Sequence, residues 1–133
     1  MNKISNYLYI GLLGIFIFNF FIKNQAEADA KKSYESYKAG KAILIDVREK
    51  AEVKAGMIKG ALWIPLSKLE ADPKEEVEKL KQLTANKEIY VYCRSGNRSG
   101  RVKSLLKDAG ISSINLGGYS GLVNDSLPIQ PGP

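Results

Sequence analysis

The sequence predicts an α/β domain in which a small parallel β-sheet is flanked by helices on both faces. Short apolar segments alternate with amphipathic helical patterns along the chain, and this alternation is typical of parallel strands joined by helical crossovers. The segments at residues 42–45 and 89–92 are almost continuously apolar, as expected for strands that are buried on both faces. In such a sheet, ligands bind beyond the carboxyl ends of the strands.

Residues 1–30 are predicted to form a targeting segment. An apolar run at residues 7–22 follows Lys3, and small residues at positions 26, 28 and 30 supply two candidate cleavage sites. Because the run is long for a signal peptide and short for a spanning helix, a cleaved signal and an uncleaved membrane anchor through residues 7–22 are both consistent with it. Either one predicts export, to the periplasm or to the outer face of the cytoplasmic membrane.

One domain is expected over residues 31–125, because a chain of 133 residues can build a single hydrophobic core. A short helix is predicted over residues 31–40 and ends at a glycine, after which the strand at residues 42–45 begins. A brief helix is expected over residues 49–55. Trp63 alternates with apolar neighbours in a short strand, which predicts a core position.

The C-terminal half is predicted from its apolar spacing. An amphipathic helix is expected over residues 73–83, and a final strand over residues 111–116. Proline and glycine near the end of the chain predict a loose tail over residues 126–133. Three apolar residues of the amphipathic helix are expected to face inward: Val77, Leu80 and Leu83.

The composition narrows the classes of function. The formal net charge is +6, but lysines alternate with Asp and Glu along the predicted helices, which indicates solvated faces rather than a nucleic-acid surface. The chain has no histidine and one cysteine, which excludes Cys–His chemistry and metal sites built from imidazole or several thiolates. No metal, cofactor or nucleic acid is therefore expected, and the protein is expected to be a monomer.

The single cysteine, Cys93, follows the strand at residues 89–92 and precedes a helical pattern over residues 98–109. The loop after it leads into a helix N-terminus, where free N–H groups and the helix dipole favour negative charge. Gly96 and Gly100 leave room for N–H groups to converge on a thiolate and lower its pKa. We interpret Cys93 as a nucleophile, and the alternative is a structural cysteine that packs as a small apolar residue.

Four arginines occur in the chain, and three of them lie in this loop and its helix. The planar guanidinium suits oxyanions with several oxygens, whereas lysine serves as a general surface charge. Positive charge at a helix N-terminus opposes the dipole unless an anion occupies the site. The loop is therefore predicted to bind an anion. The three arginines are Arg94, Arg98 and Arg101.

Residues 93–98 read Cys-Arg-Ser-Gly-Asn-Arg, which resembles the active-site loop of the rhodanese sulfurtransferases, Cys-Arg-x-Gly-x-Arg. Phosphatases and arsenate reductases on the related fold carry the arginine one place later, where this chain has Ser99. The resemblance implies a loop sized for a sulfur-bearing group rather than a phosphoryl group, with Cys93 and Arg98 as catalytic residues. It implies that the other loop residues bind the substrate: Arg94, Ser95, Gly96, Asn97 and Ser99.

Two further segments resemble the same family. Asp46 and Arg48 follow the first strand, where rhodanese-like domains carry an Asp-x-Arg pair near the active loop. The resemblance implies that Asp46 supports the site and that Arg48 tethers neighbouring loops or adds positive field, whereas the alternative is a plain ion pair at a strand end. Residues 56–61 resemble the family segment Gly-His-Ile-x-Gly-Ala, with Met57 in place of the histidine.

The resemblance is strongest to the small envelope rhodaneses of the phage-shock protein E type, and it implies a thiosulfate sulfurtransferase. Cys93 would take the outer sulfur of thiosulfate, or of a similar sulfane donor, and hold it as a persulfide. The sulfur would then pass to cyanide or to a thiol acceptor. The alternative is a sulfur carrier of the cell envelope that does not turn over thiosulfate, and a small phosphatase is a third interpretation.

Overall fold

The computed structural model describes residues 30–133, so the predicted targeting segment lies outside the described residues except for Ala30. Within this described part, no helix is long and apolar enough to cross a membrane. Helix α1 covers residues 30–38. The elements that follow are β1 (Ala42–Asp46), α2 (Lys50–Val53), β2 (Met57–Ile58), β3 (Leu62–Trp63), α3 (Leu66–Ala71), α4 (Pro73–Leu83), β4 (Glu88–Cys93), α5 (Asn97–Asp108), β5 (Ile114–Gly118), α6 (Tyr119–Asn124) and β6 (Ile129–Gln130).

Four parallel strands form the central sheet, in the order β3-β1-β4-β5. The middle strands β1 and β4 pair from Ala42 and Glu88 at one end to Asp46 and Tyr92 at the other. The prediction of a parallel sheet is therefore confirmed. Because both middle strands run in the same direction, the residues that follow Asp46 and Tyr92 lie together at the carboxyl ends of the strands.

Helices cover both faces of the sheet, as predicted. Side chains along the middle strands alternate between two hydrophobic clusters, with Leu44 and Tyr90 in the first and Ile45 and Val91 in the second. Burial on both faces explains why these strands are apolar except at Asp46 and Glu88, which lie at strand ends. The first cluster also contains Tyr34 of α1 and Leu122 of α6. The helical members of the second cluster are Leu66, Leu69, Val77, Leu80, Val102 and Leu106.

Helix α4 has the predicted bounds, and Val77 and Leu80 are buried as expected. The prediction that Leu83 faces inward is wrong, because its side chain is 56% exposed. Each helical residue turns the chain by about 100°, so the position four after Leu80 faces the core more directly than the position three after it. Thr84 occupies that place; it is buried, and its Oγ1 donates a hydrogen bond of 2.6 Å to the carbonyl of Leu80.

Two strands differ in detail from the prediction. β5 begins at Ile114 rather than at residue 111, because the N–H of Ile111 still bonds to the carbonyl of Leu106 at the end of α5. Trp63 in β3 is only partly buried, although it packs against the first cluster. Its Nε1 donates a hydrogen bond of 2.8 Å to the carbonyl of Arg48, so it also joins β3 to the segment after β1.

The prediction of a loose tail at residues 126–133 is wrong. β6 pairs in antiparallel orientation with β2, with Ile58 opposite Ile129. The prolines do not prevent this pairing, because the carbonyl of Pro128 serves as an acceptor for the N–H of Lys59 at 2.8 Å. Leu127 is buried in the first cluster. The C-terminal segment is therefore part of the folded domain.

Replacing Leu127 by alanine is expected to lower the free energy of unfolding by about 2–5 kcal/mol, because the lost side chain would leave a cavity in the core. Ile129→Ala is the matched control, since Ile129 is 55% exposed, and its loss should be below about 1 kcal/mol. Urea denaturation measures both values. Equal losses for the two variants would show that the segment is not packed as described.

Candidate active site

Cys93 is the last residue of β4 and lies at the carboxyl end of the sheet, as predicted. A short loop follows, and α5 begins at Asn97. Gly96 caps this helix with a left-handed backbone, φ 94°, and a side chain there would approach the Cα of Gly117 to 3.3 Å. Glycine is therefore required both by the turn and by the neighbouring strand β5.

Two donors lie close to the sulfur of Cys93. The backbone nitrogen of Gly96 is 3.0 Å from Sγ, and the hydroxyl oxygen of Ser99 is 3.3 Å from it. Burial of Cys93, which has no exposed surface, raises the pKa of the thiol. Hydrogen bonds from the Ser99 hydroxyl and from the N–H groups of Ser99, Ser95 and Gly96 outweigh burial, so the pKa lies below the ordinary value. This lowered pKa favours the nucleophile over a structural cysteine.

Asn115 of β5 connects the loop to the sheet, and sequence reasoning did not single it out. Its Oδ1 accepts hydrogen bonds from the hydroxyl of Ser99 at 2.7 Å and from the N–H of Gly117 at 2.9 Å. Its Nδ2 donates to the carbonyl of Gly96 at 2.9 Å. The hydroxyl of Ser99 has one proton, so Asn115 and the sulfur of Cys93 compete for it.

Arg98 forms an ion pair with the carboxylate of Glu52. Glu52 of α2 accepts from Nη1 at 2.6 Å and from Nη2 at 2.7 Å, and each of the two side chains is 27% exposed. The hydrogen bonds from Arg98 lower the pKa of Glu52 to about 2, so the pair is ionised at neutral pH. Glu52 was not recognised in the sequence, since it lies on an element far from the loop in the chain.

The remaining predicted residues of the loop are at the surface. Arg94, Ser95 and Asn97 are exposed. Arg94 forms no ion pair within residues 30–133. Arg101 also lies on α5, but it is exposed and pairs with Glu70 of α3. The loop thus brings together a buried sulfur and one exposed guanidinium that has no carboxylate partner among residues 30–133.

Asp46 and Arg48 form a buried ion pair beside the loop. Arg48 Nη2 lies 2.7 Å from Asp46 Oδ2, and Nε lies 3.0 Å from Oδ1; the two residues are 0% and 4% exposed. Arg48 also donates from Nη2 to the carbonyl of Gly56 at 2.8 Å, and its Cζ lies 4.0 Å from the ring centre of Tyr119. These contacts join three parts of the chain: the end of β1, the segment after α2, and α6. They support the tethering interpretation over a plain surface pair.

Met57, which replaces the family histidine, is buried in the first hydrophobic cluster. Its neighbour Ile58 donates its backbone N–H to the hydroxyl of Tyr92 at 3.0 Å. The hydrogen bond next to Met57 is therefore made by the backbone of Ile58 and the hydroxyl of a β4 tyrosine, and not by a side chain at position 57. Within residues 30–133, no group of three or more Cys, Asp and Glu side chains is placed to hold a metal ion.

Comparison with known proteins places these features in a family. A model of the rhodanese-like domain matches residues 29–125. The uncharacterized protein YqhL of Bacillus subtilis is 40% identical over 87 residues, which are 63% of this chain and 64% of YqhL, so the chain spans less than two thirds of that relative. A rhodanese-related protein from Thermoplasma volcanium aligns with a TM-score of 0.61 at 30% identity, covering 76% of this chain and 93% of its own. The human single-domain sulfurtransferase TSTD1 aligns with a TM-score of 0.59 at 27% identity, and the alignment covers 71% of this chain and 91% of TSTD1.

Ser99→Ala is expected to raise the pKa of Cys93, because the thiolate loses the hydrogen bond from the hydroxyl. The midpoint of the pH profile for alkylation by iodoacetamide should move upward by about 0.7 pH units, as expected for a hydrogen bond of about 1 kcal/mol. The measurement is the alkylation rate as a function of pH. Ser104→Ala is the control, since Ser104 is an exposed residue of the same helix that bonds to the carbonyl of Gly100. An unchanged profile for Ser99→Ala would exclude this role of the hydroxyl.

Arg48→Met is expected to lower the free energy of unfolding by about 3–5 kcal/mol, because it leaves the buried carboxylate of Asp46 without its partner. Arg101→Met breaks an exposed pair on α5 and should cost less than about 1 kcal/mol. Both values come from chemical denaturation at pH 7. Similar losses would mean that Asp46 and Arg48 do not act as a buried tether.

Proposed function

The chain belongs to the family of rhodanese-like domains, and on this basis we propose that it is a sulfurtransferase that carries sulfur as a persulfide on Cys93. The observation that supports this most directly is the set of donors at Sγ, the Gly96 N–H at 3.0 Å and the Ser99 hydroxyl at 3.3 Å. They lower the pKa of a thiol whose pKa burial alone would raise. The sulfur is therefore suited to nucleophilic attack.

In the proposed first half-reaction, the Cys93 thiolate attacks the outer sulfur of thiosulfate. A new S–S bond forms to Cys93, the S–S bond of the donor breaks, and sulfite leaves with the electron pair. In the second half-reaction, cyanide or a thiol acceptor attacks the outer sulfur and restores the thiolate. The donors at the start of α5 would stabilise the persulfide anion, as N–H groups do in oxyanion holes. Two half-reactions of this kind predict ping-pong kinetics.

Arg94 and Arg98 are proposed to orient the sulfonate oxygens of the donor. Arg94 is exposed and forms no ion pair in the described part of the chain, which leaves its guanidinium available. A guanidinium has five N–H donors, of which Arg98 uses two with Glu52. Because Cys93 has no exposed surface, the loop residues above it must shift before a donor reaches Sγ.

Export through residues 1–30, as in the phage-shock protein E type, is also proposed. Its support is the apolar run at residues 7–22 in the sequence. An exported domain would meet acceptors of the cell envelope, at the membrane surface if the segment is retained. Fractionation of cells that make the full chain, followed by intact mass of the recovered protein, tests both points. Recovery of the uncleaved chain in the cytoplasm would contradict them.

Incubation with thiosulfate is expected to release sulfite and to increase the protein mass by one sulfur atom. Cys93→Ser should abolish both, because the chain has no other thiol. Sulfite release, intact mass and thiocyanate formation with cyanide are the measurements. Ser104→Ala is the control, since Ser104 is an exposed residue of α5 outside the loop, and it should leave both signals unchanged. Full activity of Cys93→Ser would end the proposal.

Two other results would assign a different function to Cys93. Formation of the persulfide without turnover in the presence of cyanide would identify a sulfur carrier, since loading needs only the first half-reaction. Hydrolysis of an aryl phosphate that depends on Cys93 would identify a phosphatase.

A further inference from the structure

The arginines of the chain differ in whether a carboxylate neutralises them. Three of the four form such pairs, which are Arg48–Asp46, Arg98–Glu52 and Arg101–Glu70. Arg94 is exposed and has no such partner within residues 30–133. The net positive charge around the loop is therefore smaller than its content of arginine suggests.

Resting on the proposed function, we propose that Glu52 is a specificity-determining residue that neutralises Arg98, weakens binding of divalent anions at the loop and so favours sulfane-sulfur donors with a single negative charge.

The geometry of the Glu52–Arg98 pair supports this role. Both carboxylate oxygens are engaged, at 2.6 and 2.7 Å, and both side chains are largely covered. Charges that are partly removed from water are screened less than those of an exposed pair. Arg98 lies in the first turn of α5, directly after the loop of Cys93. The hydrogen bonds to Glu52 and, to a smaller degree, the charge of Cys93 raise the pKa of Arg98, so the three groups act on one another.

Glu52 takes part in the capping box at the start of α2, a position at which Glu and Gln can both serve. Glu49, the N-cap residue of α2, also ties this helix to α3, because its carboxylate accepts from the N–H of Ser67 at 3.2 Å and from its hydroxyl at 2.8 Å. Val53 anchors the helix in the domain, since it is fully buried. The N–H of Glu49 bonds to Oε1 of Glu52 at 3.2 Å, and the amide oxygen of a glutamine could accept the same bond. Glu52→Gln therefore removes the charge and one of the two hydrogen bonds from Arg98, since only one acceptor oxygen remains, while the bond from the N–H of Glu49 can be kept.

The effect of Glu52 on binding depends on the charge of the sulfur donor. Thiosulfate carries two negative charges and releases sulfite, whereas a thiosulfonate such as benzenethiosulfonate carries one and releases a sulfinate. In both reactions, the thiolate forms one S–S bond, the donor loses one S–S bond, and the electron pair leaves with the sulfite or sulfinate. A loop with a neutralised arginine gains less from a second negative charge than a loop with two unpaired arginines.

The test compares how well two anions of similar shape protect Cys93 of the full chain from iodoacetamide at constant ionic strength. Sulfate is the divalent probe, and methanesulfonate is the monovalent one. In the wild type, sulfate should protect at concentrations similar to those of methanesulfonate. In Glu52→Gln, sulfate should protect at concentrations about three- to tenfold lower, as expected for a unit charge near the loop, while methanesulfonate changes less. The pKa of Cys93 should also fall, because Arg98 is no longer neutralised.

Glu70→Gln is the matched control, since it frees Arg101 on the same helix but in an exposed pair; it should leave both probes and the pKa of Cys93 unchanged. Glu52→Asp keeps the charge and should keep the wild-type preference. An unchanged response to sulfate in Glu52→Gln, or an equal gain in Glu70→Gln, would overturn the proposal.

If circular dichroism shows that Glu52→Gln is unfolded, the proposal is tested on the wild type alone. Clearly stronger protection of Cys93 by sulfate than by methanesulfonate in the wild type would overturn it. None of these readouts needs turnover. If neither thiosulfate nor benzenethiosulfonate transfers sulfur, the proposed function is wrong, but the protection data still test the role of Glu52. Where transfer occurs, Glu52→Gln should raise kcat/KM for thiosulfate relative to benzenethiosulfonate by a similar factor.

Discussion

The site depends on hydrogen bonds that lower the pKa of a sulfur atom with no exposed surface. Burial of Cys93 opposes ionisation, and the chain offers neither histidine nor a second thiol to help. Hydrogen bonds at the start of α5 provide the compensation, and their strength depends on distance and direction. The backbone nitrogen of Gly96 lies 3.0 Å from Sγ and must be held near that position. This requirement explains why Asn115 fixes the carbonyl of the same glycine from the neighbouring strand.

The loop can be held in this way because the strands on either side of it end at fixed places. β1 and β4 pair up to Asp46 and Tyr92, and the N–H of Val47 continues the pairing with a bond of 3.1 Å to the carbonyl of Tyr92. The buried pair of Asp46 and Arg48 then fixes the segment that leaves β1. Breaking one partner of such a pair costs far more than losing a surface ion pair. The scaffold beside Cys93 is thus rigid, while the residues above the sulfur are exposed.

The sequence was sufficient to predict the sheet, the helix after Cys93 and the α/β class, because these follow from local apolar patterns and turn residues. It could not reveal Glu52 or Asn115 as parts of the site. Each contacts the loop from an element distant in the chain, and a single Glu or Asn carries no pattern of its own. Leu83 was misplaced because helical spacing alone allows two inward positions, and Thr84 occupied the better one.

The tail was predicted to be loose because proline and glycine suggested it, whereas pairing with β2 decided its structure. Ile58 and Ile129 are opposite each other in that pairing although most of the domain separates them in sequence. A contact between residues so far apart closes a long loop, so forming it costs more chain entropy than forming a local contact. During synthesis, the first cluster therefore lacks Leu127, and β2 lacks its partner strand, until residues 127–130 have left the ribosome. A nascent chain stalled before that point would expose β2 as an unpaired strand edge, the kind of surface that chaperones bind.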